Sequence, residues 1–161
     1  MLSISQNRTY AFIVFSVVLF LLIFGYIFSK GRKSRSIIEN SSNHGIRYSI
    51  IDKNNILNQK NALEYNILIN TTENKLTKSK IIKFIKHMEN KNSSVHRMII
   101  YGYLSRIAYE ESLKYQHSQS YKHNFIFMYV KSSINNKKGT IYWLQLKGKL
   151  SHLYGDKTVL E

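Results

Sequence analysis

The sequence predicts an α+β protein, with an N-terminal transmembrane helix followed by a small, mostly antiparallel sheet of four to five strands and two helices. Three observations carry this prediction. Residues 11–28, AFIVFSVVLFLLIFGYIF, form an apolar run without a charge. The segments at 63–69, 125–130 and 140–147 are rich in β-branched and aromatic residues, the first with a period of two. Between the first and second of these, Thr77, Ile81, Phe84, Ile85 and Met88 recur at helical spacing.

On this reading the chain divides into an N-terminal tail (1–9), a transmembrane helix (10–29), a basic and polar linker (30–46), an α+β soluble domain (47–154) and a C-terminal tail (155–161). At about 1.5 Å per residue the apolar run makes roughly 27 Å of helix, close to the roughly 30 Å hydrocarbon core of a bilayer. A cleaved signal peptide would have a shorter core and small residues after it. Here the core is followed by Tyr26, Ile27, Phe28, Ser29 and Lys30, which fits an uncleaved anchor better. Lys30, Arg32, Lys33 and Arg35 flank its C-terminal end against Arg8 on the other side, a bias that narrowly favours a cytoplasmic domain over an extracytoplasmic one. The same four cations are candidates for contact with anionic lipid headgroups.

The folded part is expected to open with a strand at 48–52, ended by the turn residues Lys53, Asn54 and Asn55. Leu63, Tyr65, Ile67 and Ile69 alternate with Glu64, Asn66 and Leu68 and form a second strand. Capping chemistry at Thr72–Asn74 precedes the helical stripe, which runs to about Asn90. Residues 95–115 read as a second helix, because Ile100, Leu104, Ile107, Ala108 and Glu111 fall three and four apart over a stretch long for a strand. Phe125 to Val130 is apolar on both faces and predicts a central strand, and Thr140 to Lys147 its hairpin neighbour across a polar loop. A last short strand is expected at 150–154, followed by a frayed tail.

Tyr48–Asp52, the strand ending Asn70-Thr71-Thr72-Glu73 before a helix, and Phe125–Tyr129 followed by Gly139–Trp143 resemble segments of uncharacterised small bacterial α+β domains that are tethered to a membrane or exported. The resemblance covers about half of the chain. It implies a fold, no activity, and an extracytoplasmic domain, against the charge bias.

The formal net charge is +15, and from Ile37 onward 19 Lys and Arg stand against 9 Asp and Glu. These charges are scattered, which fits a solvated surface better than a nucleic-acid footprint. The densest run is on the predicted helix, where Lys78, Lys80 and Lys83 form a candidate surface for an anionic ligand, with Lys75 and Lys86 beside them. Phe127, Tyr129, Tyr142 and Trp143 have the composition of a stacking platform for single-stranded nucleic acid, though a small domain has to bury its largest side chains and core packing is the expected role.

No catalytic constellation is legible. The chain has no cysteine, and it has neither a G-x-S-x-G elbow nor a glycine-rich phosphate loop. Glu110 and Glu111 are adjacent and diverge on a helix. His117 and His123 lie six apart in a polar segment without a third ligand, so no metal or other cofactor is expected. Four N-x-S/T sequons begin at Asn7, Asn40, Asn70 and Asn92, a number near chance for this composition. The expected function is a non-catalytic interaction or assembly module on a single-pass membrane protein, with a protein partner. The alternative is a membrane-tethered binder of nucleic acid or anionic lipid.

Overall fold

The computed structural model describes residues 39–56, 61–132 and 137–160. The apolar run, its basic flank and residues up to 38 lie outside them, as does the loop at 133–136. Among the described residues no helix is long and apolar enough to cross a membrane.

Seven strands form one curled sheet, half a barrel, in the order β1-β2-β3-β4-β5-β6-β7. They are β1 (Glu39–Asn43), β2 (Ile46–Asn55), β3 (Ala62–Ile69), β4 (Arg97–Tyr103), β5 (Phe125–Ser132), β6 (Lys137–Trp143) and β7 (Lys157–Val159). Three helices join them: α1 (Lys78–Lys91), α2 (Arg106–Leu113) and α3 (Gln119–Asn124). The expected sheet of four to five strands with two helices is therefore corrected, among the described residues, to seven strands and three helices. All neighbouring strands pair antiparallel except β3 and β4, which run parallel. The sheet is mixed because α1 carries the chain from the end of β3 back to the start of β4, and only such a crossover can join parallel neighbours.

The corrections have local physical causes. Residues 39–43, expected within a linker, pair with β2 through a two-residue turn at His44 and Gly45, whose φ angles of 49° and 76° are both positive, as the twist of a tight hairpin demands. The helix expected over 95–115 is a strand and then a shorter helix. Met98 and Ile100 are buried in one face of β4 while Ile99 and Tyr101 stand partly exposed on the other, a period of two. Ser105 then caps α2, its Oγ accepting from the Ile107 amide at 3.2 Å. The strand expected at 150–154 is a 3₁₀ turn, Ser151–Leu153, and the tail beyond it supplies β7.

One face of the sheet is closed by α1. Ile81, Phe84, Ile85 and Met88 are all buried against it, each such side chain contributing about 1.5–3 kcal/mol by leaving water. Thr77 caps this helix through its Oγ1, which accepts from the Lys80 amide at 3.3 Å. Asn92 ends it: its Nδ2 donates to the Met88 carbonyl at 2.8 Å and its Oδ1 accepts the Tyr65 hydroxyl at 2.8 Å. Leu76, Leu150, Leu153 and Leu160 complete the same core. Gly102 on β4 leaves room for the Phe127 ring, which a Cβ at that position would overlap.

Candidate functional site

The second face of the sheet is covered only in part. Register places Asp52, Asn66, Tyr101, Met128, Tyr142 and Lys157 in one row from β2 to β7. The row beside it runs Asn54, Glu64, Ile99, Val130, Thr140 and Val159. At one end of this face α2 and α3 pack down, burying Ala108 and Tyr109 against Tyr103 and Ile51, with Tyr101, Tyr121, Phe125 and Leu68 around them. Tyr103 stacks on Phe125 with centroids 5.0 Å apart and meets Tyr109 edge-on at 5.8 Å. Tyr121 lies 5.2 Å from Phe125, and His117 stands edge-on to Tyr121 at 4.8 Å.

Burial raises the hydroxyl pKa of Tyr101 and Tyr121 and raises that of Tyr103 far above the usual tyrosine range; at Tyr101 the Glu64 carboxylate adds to the effect. These hydroxyls are hydrogen-bond donors, not bases, at neutral pH. Asp52, in the same row as Tyr101, is buried. Its Oδ2 accepts from Asn54 Nδ2 at 2.8 Å and from the Tyr109 hydroxyl at 3.3 Å, while Oδ1 is the one buried side-chain polar atom among the described residues without a hydrogen-bond partner.

Beyond that end no described residue covers the face. Ile99, Tyr101, Met128, Val130, Thr140 and Tyr142 are partly exposed across three adjacent strands, and the Lys157 ammonium sits 5.4 Å over the Tyr142 ring. Val159 at the sheet edge and Ile107 on α2, opposite the buried Ala108 and Tyr109, are more than half exposed.

A second polar cluster joins the 3₁₀ turn at Glu73–Lys75 to the segment after β6. Glu73 Oε1 accepts from Gln145 Nε2 at 2.8 Å and from the Lys149 amide at 2.7 Å, and its Oε2 lies 3.5 Å from His123 Nε2. Burial pushes the Glu73 carboxyl up, but the Lys149 amide, the Gln145 amide and the His123 charge outweigh it and hold the pKa below the usual value. Gln145 is buried with both ends used, donating also to the His123 carbonyl at 3.0 Å and accepting from the Leu150 amide at 2.9 Å. All its bonds are internal, so this cluster serves as a clasp between distant segments.

The residues singled out in the sequence separate in space. Lys78 and Lys83 are exposed on α1, but Lys80 folds back, its Nζ donating to the Lys75 carbonyl at 2.8 Å. Lys30, Arg32, Lys33 and Arg35 lie outside the described residues. Phe127, Tyr129 and Trp143 are core side chains, at most 1 % exposed. Tyr142 alone of that group reaches the open face, where its companion is Tyr101, hidden from sequence reading by the helical spacing around it. His123 meets Glu73 and not His117, and among the described residues no group of three or more His, Asp or Glu is placed to hold a metal ion. Comparison with protein families, with curated proteins and with solved structures gave no match.

Proposed function

We propose that this chain is a single-pass membrane protein whose folded part is a non-catalytic interaction module, engaging a protein partner through the open face of its sheet. The anchor is the apolar run at 11–28, and the module begins at β1. One observation carries the reading: Ile99, Tyr101, Met128, Val130 and Tyr142 form a continuous, partly exposed apolar surface on β4, β5 and β6, beside a face otherwise closed by α2 and α3. Contiguous apolar surface of this kind marks interaction sites on soluble domains. A photocrosslinking amino acid at Met128 of the full chain in its membrane should give a discrete adduct, whereas the same group at the exposed Ser94 should not. Loss of the distinction between the two positions would sink the proposal.

A second reading, binding of an anionic lipid or nucleic acid, is favoured by the exposed Lys78, Lys83 and Lys86 on α1, none of which has a carboxylate partner among the described residues. It predicts binding that falls steeply with salt and is lost on charge reversal at these positions.

A further inference from the structure

We infer that the outward side of α1 docks on anionic lipid headgroups of the membrane that anchors the chain. The inference rests on the anchor at 11–28 and deepens the second reading above by naming its ligand.

The periodicity of one helix builds this surface. Ile81, Phe84, Ile85 and Met88 are buried against the sheet, and the stripe opposite them, at i, i+4, i+7 and i+11, is Ser79, Lys83, Lys86 and Asn90, all exposed. The helix carries five lysines and one glutamate, so its outward side is basic. Among the described residues no carboxylate pairs with Lys83 or Lys86. The two acids on α1 and on the 3₁₀ turn before it are engaged elsewhere. Glu89 lies 3.3 Å from the Lys131 ammonium and accepts from the Tyr129 hydroxyl, and Glu73 is held in the clasp with Gln145, the Lys149 amide and His123. Beside the stripe the Lys80 stem passes Gly45, and His87 meets His44 edge-on at 6.3 Å, so the β1–β2 hairpin flanks the same basic side.

Reach and chemistry select the headgroups. Ten residues, 29–38, separate the apolar run from β1, at most about 33 Å of chain. A helix about 10–12 Å across is all that stands between the sheet and a surface on which α1 rests. The tether is therefore long enough to let α1 lie on the bilayer and short enough to hold it close to the headgroups. Single-stranded nucleic acid is bound by exposed rings set among cations, and the outward stripe has no ring. Headgroups require only positive charge near their plane, each lysine there strengthening attachment about fivefold. With α1 against the bilayer, Ile99, Tyr101, Met128 and Tyr142, on the opposite face of the sheet, are turned away from it and stay accessible to a protein partner.

The chain contains no cysteine, so a single introduced thiol reports one position. The full chain carrying Ser79→Cys labelled with bimane is reconstituted into vesicles of phosphatidylcholine, alone or mixed with phosphatidylserine, each with a trace of nitroxide-headgroup lipid. Quenching should be strong with phosphatidylserine, weak without it, and should fall as salt rises, while the same label on Met128→Cys stays unquenched in both. Lys83→Gln with Lys86→Gln should lower the ratio of docked to undocked chain about 25-fold, fivefold for each charge, and Lys83→Arg with Lys86→Arg should keep it. Equal quenching in the two kinds of vesicle, or undiminished quenching in the glutamine variant, overturns the inference. So does a label that phosphatidylserine leaves unquenched but that responds to an added single-stranded oligonucleotide, a result that keeps the basic-surface reading. If the label responds to neither, both fall, and a chain that floats with neither kind of vesicle removes the anchor as well.

Discussion

The Tyr109 hydroxyl on α2 donates to Oδ2 of Asp52 on β2 at 3.3 Å, joining residues 57 positions apart. This bond ties the short helix to the sheet and satisfies part of a carboxylate that burial has removed from water. Replacing Tyr109 by Phe should therefore cost about 1–3 kcal/mol, the penalty of a buried acceptor losing its donor. Urea unfolding of the full chain, followed by the fluorescence of Trp143, measures it. A change below about 0.5 kcal/mol would mean that the bond does not form.

Glu73 predicts an acid limb of stability. Its folded pKa is depressed, so its contribution is complete above the unfolded value near 4.5 and is lost as pH falls through the lower folded value. The unfolding midpoint should thus drop as pH falls below about 4.5. Glu73→Gln should flatten that dependence, because its amide does not titrate. An unchanged pH profile would remove the clasp from the account.

Gly102 predicts a packing defect. Gly102→Ala places a methyl group where the Phe127 ring lies, and overpacking of this kind costs about 1–3 kcal/mol. The loss should be partly recovered by Phe127→Leu in the same chain, since the two changes share one volume. Additive losses would show that the ring is not what limits the glycine.

Thr77 predicts a smaller, local effect. Thr77→Ala removes the oxygen that accepts from the Lys80 amide and should lower stability by about 1 kcal/mol, with Thr77→Ser largely neutral. Hydrogen exchange at the first turn of α1 should rise in the alanine variant alone.

Local chemistry along the chain settles α1, β3, β5 and the core strand β6. In each, side chains bury on one face or on both, and the spacing of Ile81, Phe84, Ile85 and Met88, or of Tyr65, Ile67 and Ile69, records that burial directly. The run at 11–28 is equally plain as an apolar segment of bilayer length, though it lies outside the described residues. Pairing in three dimensions decides the rest. β1, Glu-Asn-Ser-Ser-Asn, carries no apolar signal and is a strand because β2 offers it backbone partners. β4 holds apolar residues at both helical and strand spacing, and its place between β3 and β5 resolves the choice. The open face is of the same kind: Tyr101 and Tyr142 are 41 positions apart and on strands that do not touch, and they share a row only because β5 sets the register of both. Periodicity in a sequence reports which way a side chain points, while the neighbour it meets there depends on hydrogen bonds between strands that no local pattern encodes.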